Sequence, residues 1–192
     1  MAGGLVGGII VVALLGFFAW AIASSRQPPK VDPVTGATVL HYSWVIRGLG
    51  LLGGVGMPLL IAVLIVVLPK NNPSDPLIAA ALAGFFLLLG FPLLVETMCV
   101  RVDVSEDGIR KASPWHSARE FNWDEIKEVR YSQAWSSFIF VGPRKKKIRV
   151  PMLTIGIGDL ADAVYRNLDR DQYAEAEKGF EILERWGMRG RR

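Results

Sequence analysis

Three apolar stretches dominate the first half of the chain. They cover residues 5–23, 48–68 and 77–95, and none of them contains a charged side chain. A helix needs about 20 apolar residues to cross the roughly 30 Å hydrocarbon core of a bilayer, so each stretch is long enough to span a membrane. The sequence therefore predicts a membrane anchor of three transmembrane helices within residues 1–98.

The first stretch also has some features of a secretory signal. Ala21 and Ala23 precede Ser24 in the pattern of a small-residue cleavage site. However, no Lys or Arg precedes the apolar run, and that run is long for the hydrophobic part of a signal peptide. We therefore expect a retained helix.

Charge separates the two halves of the chain. Residues 1–98 hold four Lys and Arg and three Asp and Glu, whereas residues 99–192 hold eighteen and fifteen. The charge content of the second half therefore predicts a small domain exposed to water. Its slight positive excess suits a surface beside anionic lipids, but it is too dispersed to indicate nucleic-acid binding. One Cys and two His exclude an intramolecular disulfide and a His/Cys metal site, and no cofactor is expected.

The basic residues of the connections predict the orientation. The connection between the first two stretches carries Arg26, Lys30 and Arg47, whereas the next connection carries only Lys70. Short connections rich in Lys and Arg remain in the cytoplasm. We therefore expect the N-terminus outside and the C-terminal domain in the cytoplasm.

Small residues recur four positions apart in every apolar stretch. The pairs are Gly4 with Gly8, Gly50 with Gly54, and Ala80 with Gly84. Such pairs allow helix backbones to approach closely in lipid. They fit either packing within this helix bundle or contact with another membrane protein.

Two charged residues flank the apolar stretches. Arg47 immediately precedes the second stretch and Glu96 immediately follows the third. In antiparallel neighbouring helices both would lie at the cytoplasmic boundary, where a charge pairs or extends to water. An Arg47–Glu96 ion pair is therefore a hypothesis, with separate solvation of each residue as the alternative.

From Cys99 onward the pattern changes to period two. Val100, Val102 and Val104 alternate with polar residues, which is typical of a half-buried strand. Further strands are predicted at 108–113, 118–121, 127–131, 136–141 and 146–150, a single capped turn at 122–126, and a helix at 158–168. This order predicts an α+β protein whose residues 99–170 form a small antiparallel sandwich or barrel closed by a helix. Residues 34–40 read as a short strand or hairpin near the membrane.

The order of motifs in this half resembles a known family. The strand is followed by SEDGIR, SPWHSAREFNWDEIKEV, a buried strand, RKKKIRVP and GDLADAVYRNL. This order is similar to the bacterial pleckstrin-homology-like domain, and the likeness covers roughly residues 99–170. The resemblance implies a scaffold or binding module tethered to a bacterial inner membrane. It identifies a fold and no active site.

The densest charge cluster is Arg144, Lys145, Lys146 and Lys147, with Arg149. It is either a solvated hairpin tip or a binding site for anionic lipid or a partner. Residues 171–192 predict an amphipathic helix and a basic tail, which either pack on the domain or bind a partner.

No catalytic constellation or phosphate-binding loop is visible. The sequence therefore predicts a non-catalytic membrane scaffold or accessory subunit. It would bind another membrane protein or assemble with itself. The alternative is a module that senses anionic lipids.

Overall fold

The computed structural model describes residue 23 and residues 29–67 and 75–188. The first predicted transmembrane helix, residues 5–23, lies outside this part of the chain except for Ala23. Gly4 and Gly8 lie outside it as well. Within the described residues, two helices are long and apolar enough to cross a membrane, Trp44–Ile65 and Leu77–Cys99.

The first apolar helix is interrupted by a wider turn. It consists of α1 (Trp44–Leu51), a π-helical segment (Leu52–Gly56) and α2 (Met57–Val67). The backbone N–H of Met57 donates to the carbonyl oxygen of Leu52, five residues earlier. A proline clashes with the carbonyl four residues before it in a regular α-helix. The π segment immediately before Pro58 provides a local departure from that geometry.

The second apolar helix, α3 (Asp75–Cys99), is continuous and contains Pro92. The boundaries of both helices extend past the predicted ones on the side of the aqueous domain. The first begins at Trp44 instead of residue 48, and the second ends at Cys99 instead of residue 95. The added turns contain the charged residues Arg47 and Glu96, at which the predicted apolar stretches are bounded.

The larger sheet contains strands from both sides of the apolar helices. Its order is β1 (Lys30–Val31), β2 (Thr38–Tyr42), β3 (Arg101–Val104), β4 (Gly108–Ser113) and β5 (His116–Asn122). The short strand β9 (Thr154–Ile155) also pairs with β2.

The apolar helices are inserted into a β-hairpin. Strands β2 and β3 are antiparallel partners, with Thr38 opposite Val104 and Leu40 opposite Val102. Continued by two residues, this register brings Tyr42 opposite Val100. The chain therefore leaves one strand, forms both apolar helices and returns to the neighbouring strand.

The smaller sheet is an antiparallel meander. It consists of β6 (Glu128–Ser132), β7 (Ser137–Val141) and β8 (Lys147–Pro151). A single 3₁₀ turn, Trp123–Glu125, precedes it, and Asn122 and Glu125 form a reciprocal capping box there. This turn reproduces the capped turn predicted at residues 122–126.

Helices close the domain at its C-terminal end. They are α4 (Ile157–Asn167), α5 (Arg170–Tyr173) and α6 (Glu177–Arg185), with a 3₁₀ turn (Ala174–Ala176) between the last two. Phe180 of α6 stacks on Phe138 of β7 with 4.8 Å between ring centroids. The apolar face of the predicted C-terminal amphipathic helix is thus used for packing on its own domain.

The core is formed by alternate residues of the strands. Leu40, Val102, Ile109, Phe138 and Phe140 are all almost fully buried. Burial of such side chains stabilises each by about 1.5–3 kcal/mol relative to exposure. The predicted α+β class, with an antiparallel sheet and a C-terminal helix, is confirmed.

The described chain forms two compact units. One contains residues 23, 29–43, 101–112 and 118–188, and the other contains residues 44–67, 75–100 and 113–117. The first unit, called the β domain below, thus includes strands on the N-terminal side of the apolar helices. The sequential division at residue 98 assigns those strands to the membrane anchor.

Candidate binding surface

The basic cluster lies on a turn and an edge strand of the smaller sheet. Gly142 and Pro143 begin the turn, and Lys147 and Arg149 follow in β8. Because side chains alternate across a strand, Ile148 and Val150 are buried while Lys147 and Arg149 are exposed. The structure therefore places all five predicted basic residues, from position 144 to position 149, on one continuous exposed segment.

The backbone at the tip of this turn adopts a conformation that is unfavourable for Arg and Lys. Arg144 and Lys145 have φ values of 53° and 60°. Residues with a Cβ atom are disfavoured in this left-handed region, which glycine adopts without a steric penalty. The backbone alone therefore does not account for two adjacent basic residues at this tip.

Two further basic residues reach the same strand from the larger sheet. Lys111 Nζ donates to the carbonyl oxygen of Arg149 at 3.0 Å, and an Arg119 guanidinium nitrogen donates to that of Lys147 at 2.7 Å. Both acceptors lie on the edge of β8 that does not face β7. We call the seven residues the basic edge: Lys111, Arg119, Arg144, Lys145, Lys146, Lys147 and Arg149.

The sequence does not indicate Lys111 and Arg119 as members of this surface. Each lies in a strand where a polar residue on the solvent side is common, and each is far along the chain from the Arg144–Lys147 cluster. Only the meeting of the two sheets brings them to β8. No local signal in the sequence could have found them.

Charge compensation differs between the two outer strands of the smaller sheet. On β6, Arg130 lies within 2.5 Å of Glu128 and 3.3 Å of Glu175. The hydrogen bond from Arg130 lowers the pKa of Glu128, and the reverse contact raises the pKa of Arg130. On β8, by contrast, Lys147 and Arg149 have no ion pair with any carboxylate in the described part of the chain. Lys147 adds only a weak electrostatic effect on Glu128, so an excess of positive charge collects on the β8 side.

An exposed aromatic ring adjoins the basic edge. The Arg149 guanidinium lies over the Trp135 ring, 5.6 Å from its centroid, and Trp135 is 70% exposed. Such a cation–π contact at an exposed site contributes about 0.5–1 kcal/mol. It orients the Arg149 side chain while leaving its outer N–H groups available.

Strand pairing also fixes which end of the β domain carries the basic turn. Pro151 accepts a hydrogen bond from the Thr154 hydroxyl, and Thr154 pairs with Tyr42, two residues before the first apolar helix. Lys147 lies four strand residues before Pro151, which corresponds to about 13 Å. The basic turn precedes Lys147, so it lies at the end of β8 remote from Tyr42.

The two apolar helices contact each other through three glycines. A side chain on Gly90 would come within 2.5 Å of the Gly53 carbonyl oxygen, and one on Gly54 within 2.9 Å of the Gly90 carbonyl oxygen. A side chain on Gly50 would come within 2.7 Å of the Thr97 hydroxyl. The predicted residues Gly50 and Gly54 thus lie at this contact. Gly90 lies there too, although the four-residue spacing did not identify it.

The other predicted small-residue pair lies elsewhere. Ala80 and Gly84 are exposed, and no atom lies within 4 Å of the position a Gly84 side chain would occupy. This pair does not take part in the contact between the two described helices. Its use against another helix stays a prediction.

Arg47 and Glu96 both lie near the β-domain ends of the apolar helices. The Arg47 Nε atom is buried and has no hydrogen-bond partner among the described residues, and Glu96 is engaged in an interaction. The Arg47–Glu96 ion pair stays a prediction.

The β domain also has an acidic groove of about 760 Å³. Its charged residues are Glu106, Asp159, Asp162 and Arg166. Burial, followed by the nearby Asp162, raises the pKa of Asp159. Among the described residues, no three His, Cys, Asp or Glu side chains are grouped closely enough to hold a metal ion.

Comparison of the chain with protein-family models, with curated proteins and with solved structures finds no match.

Proposed function

We propose that this protein is a non-catalytic membrane scaffold or accessory subunit that binds a partner through its β domain. The observation that carries the proposal is the insertion of two apolar helices between the paired strands β2 and β3. A domain built around such an insertion is tied to the bilayer by two chain connections. It is therefore suited to keeping a binding surface at the membrane.

The exposure of the apolar helices supports a membrane location. Only 17% of the first candidate span and 6% of the second are buried. The core helix of a soluble protein has most of its apolar surface covered, whereas a helix in lipid does not need that cover. Leu59, Leu88 and Phe91 are among the large apolar side chains that are more than half exposed.

The paired strands also support the proposed orientation. Strands of one sheet form in one compartment, so the chain on both sides of the helix pair lies on the same side of the membrane. The basic connection containing Arg26, Lys30 and Arg47 assigns that side to the cytoplasm. The proposed location is a bacterial inner membrane, with the N-terminus outside and the β domain in the cytoplasm.

The fold agrees with a pleckstrin-homology-like module. Two antiparallel sheets closed by α4 are what the resemblance of residues 99–170 implies. In our proposal, strand β2 belongs to the same module, although it precedes the apolar helices.

Partner binding is proposed ahead of lipid sensing because of the shape of the basic surface. Its residues lie along a turn and the strand β8 rather than around an enclosed site for one headgroup. The partner is proposed to be another membrane protein or a second copy of this chain.

Photo-crosslinking in intact membranes tests the proposal. A photoreactive benzoylphenylalanine at Lys146 should yield a discrete protein adduct, and the same residue at exposed Lys178 of α6 should not. An adduct of twice the chain mass would identify self-assembly. Labelling of lipid alone at position 146 would support lipid sensing, and equal labelling at both positions would contradict a specific surface.

The orientation has its own test. An impermeant thiol reagent applied to spheroplasts should label an Asn72→Cys variant that lacks Cys99. The same reagent should not reach a cysteine placed in the 24–47 connection. The reverse pattern would invert the proposed topology.

A further inference from the structure

We infer that the basic edge binds an acidic protein segment through side-chain ion pairs rather than by adding a strand to the sheet. This inference rests on the proposed function and specifies the chemistry of the partner. It assigns the role to the seven residues that the meeting of the two sheets brings together, two of which come from β4 and β5.

The outer edge of β8 already has hydrogen-bond donors bound to its carbonyl groups. An exposed edge strand offers backbone carbonyl and N–H groups on which another strand can pair. Here the outward carbonyls of Lys147 and Arg149 already accept hydrogen bonds from Arg119 and Lys111. An added strand would have to displace both donors. The edge is therefore protected against strand addition, while it stays accessible to side chains.

Positive charge is concentrated on this edge of the smaller sheet. Lys145, Lys146, Lys147 and Arg149 are exposed and form no ion pair with the described carboxylates. The opposite edge of the same sheet is neutralised, because Arg130 is held by Glu128 and Glu175. Because the positive potential is confined to one edge, an anionic ligand is attracted to that edge and not to the opposite one.

The shape of the basic edge suits an extended ligand. Its residues are spread along a turn and a strand rather than gathered around an enclosed cavity for one phosphate. A linear acidic segment can pair with such a row in several places at once.

The experiment uses the full chain in nanodiscs of uncharged phosphatidylcholine. The probe is a fluorescein-labelled peptide of alternating Glu and Ser, and a matched Gln/Ser peptide is the uncharged control. The wild type should bind the Glu peptide and not the Gln peptide. Binding should weaken in about 0.5 M salt, because salt screens exposed charges.

Matched variants identify the surface. The triple variant Lys145→Gln, Lys146→Gln, Lys147→Gln should bind the Glu peptide about tenfold more weakly, as expected for three exposed ion pairs. Replacement of the same three residues by Arg should retain binding. Replacement of Lys30, Arg110 and Lys178 by Gln removes equal charge from other elements and should change affinity less than about twofold.

Other outcomes would overturn the inference. Equal loss in both Gln variants would show an effect of net charge alone. Absence of peptide binding together with recruitment to phosphatidylglycerol nanodiscs would assign the edge to lipid. If a discrete protein adduct forms at position 146 while the acidic peptide does not bind, the scaffold function is supported and the inference of an acidic partner is contradicted. If the peptide binds but no specific adduct forms in membranes, the proposed function fails.

Discussion

In the two apolar helices most large side chains are exposed, whereas in the β domain they are buried. Leu88 is 74% exposed, while Phe140 on β7 is fully buried. The helices complete their own backbone hydrogen bonds and touch each other through Gly50, Gly54 and Gly90. The β domain depends on pairing between residues far apart in the chain. Local pattern therefore determines the first region, and long-range pairing determines the second.

The largest effect should come from separating β2 from the domain. Residues 99–192 lack the strand that pairs with β3 and contributes buried Leu40, so we expect this fragment not to unfold cooperatively. A chain that begins at residue 29 and carries Asn-Gly in place of residues 43–99, called the hairpin-joined chain below, should fold, because that dipeptide closes a two-residue hairpin. Thermal unfolding followed by circular dichroism compares the two. A cooperative transition in the 99–192 fragment would show that β2 is dispensable.

The same truncation should have opposite consequences in the two regions. Phe138→Ala removes a fully buried ring stacked on Phe180 and should cost about 3–5 kcal/mol, measured by denaturant unfolding of the hairpin-joined chain. Phe85, in the second apolar helix, is 56% exposed. Phe85→Ala should leave the thermal stability of the full chain in detergent nearly unchanged. A similar loss for both would argue that Phe85 is covered by another protein surface.

A glycine pair tests the helix contact. Gly90→Val should destabilise the helix pair by about 1–3 kcal/mol, because the new side chain would overlap the Gly53 carbonyl. Gly84→Val adds the same atoms to open space and serves as the control. Disulfide trapping between cysteines placed in the two helices, in a Cys99→Ser background, reports the contact. Equal yields of the trapped disulfide in both variants would contradict a close contact between the helices at Gly90.

A substitution in the turn of the basic edge should change stability by a smaller amount, and it should stabilise the domain instead of destabilising it. Arg144→Gly relieves the positive φ and should raise the stability of the hairpin-joined chain by up to about 1 kcal/mol. The same variant loses a charge and should bind the acidic peptide less well. A loss of stability would show that the Arg144 side chain makes a stabilising contact.

The smallest expected effects are in the pH dependence of the β domain. A hydrogen bond from the Val34 backbone, followed by one from Arg101, lowers the pKa of Asp32 below its ordinary 3.8. The stabilisation from Asp32 is therefore complete above pH 3.8 and is lost as the pH falls through the lowered value. Asp32→Asn should flatten the acid side of the stability profile.

Asp159 should behave in the opposite way. Burial raises its pKa, so its favourable contribution exists at low pH and is lost as the pH rises past 3.8 towards the raised value. Asp159→Asn mimics the protonated form and should stabilise the domain at neutral pH, with little effect in acid. Denaturant unfolding of the hairpin-joined chain at several pH values measures both. Parallel profiles for the two variants would contradict the assigned directions.

The sequence predicted the elements of the β domain better than their assembly. Alternation at Val100, Val102 and Val104 located β3, and the capping residues Asn122 and Glu125 located the turn before β6. Nothing in the local pattern states that Thr38–Tyr42 pairs with β3 across both apolar helices. Partner choice between strands depends on buried surfaces that are assembled only in three dimensions.

The candidate surface shows the same limit. The run from Arg144 to Lys147 is visible as a charge cluster, because it is contiguous. Lys111 and Arg119 join it only through the carbonyls of β8. In the helices, spacing found Gly50 and Gly54 but not Gly90, because the residues four positions from Gly90 are the large Phe86 and Leu94.

The inserted helix pair has a consequence for biosynthesis. Strand β2 leaves the ribosome before either described apolar helix, but its partner β3 is made only after both. At about 5–20 residues per second, β2 waits several seconds for the strand beside it. During that interval its buried face, which includes Leu40, has no cover from β3. The nascent chain thus exposes a pairing edge during membrane insertion, and the sheet closes only after insertion has brought its two halves back to one side.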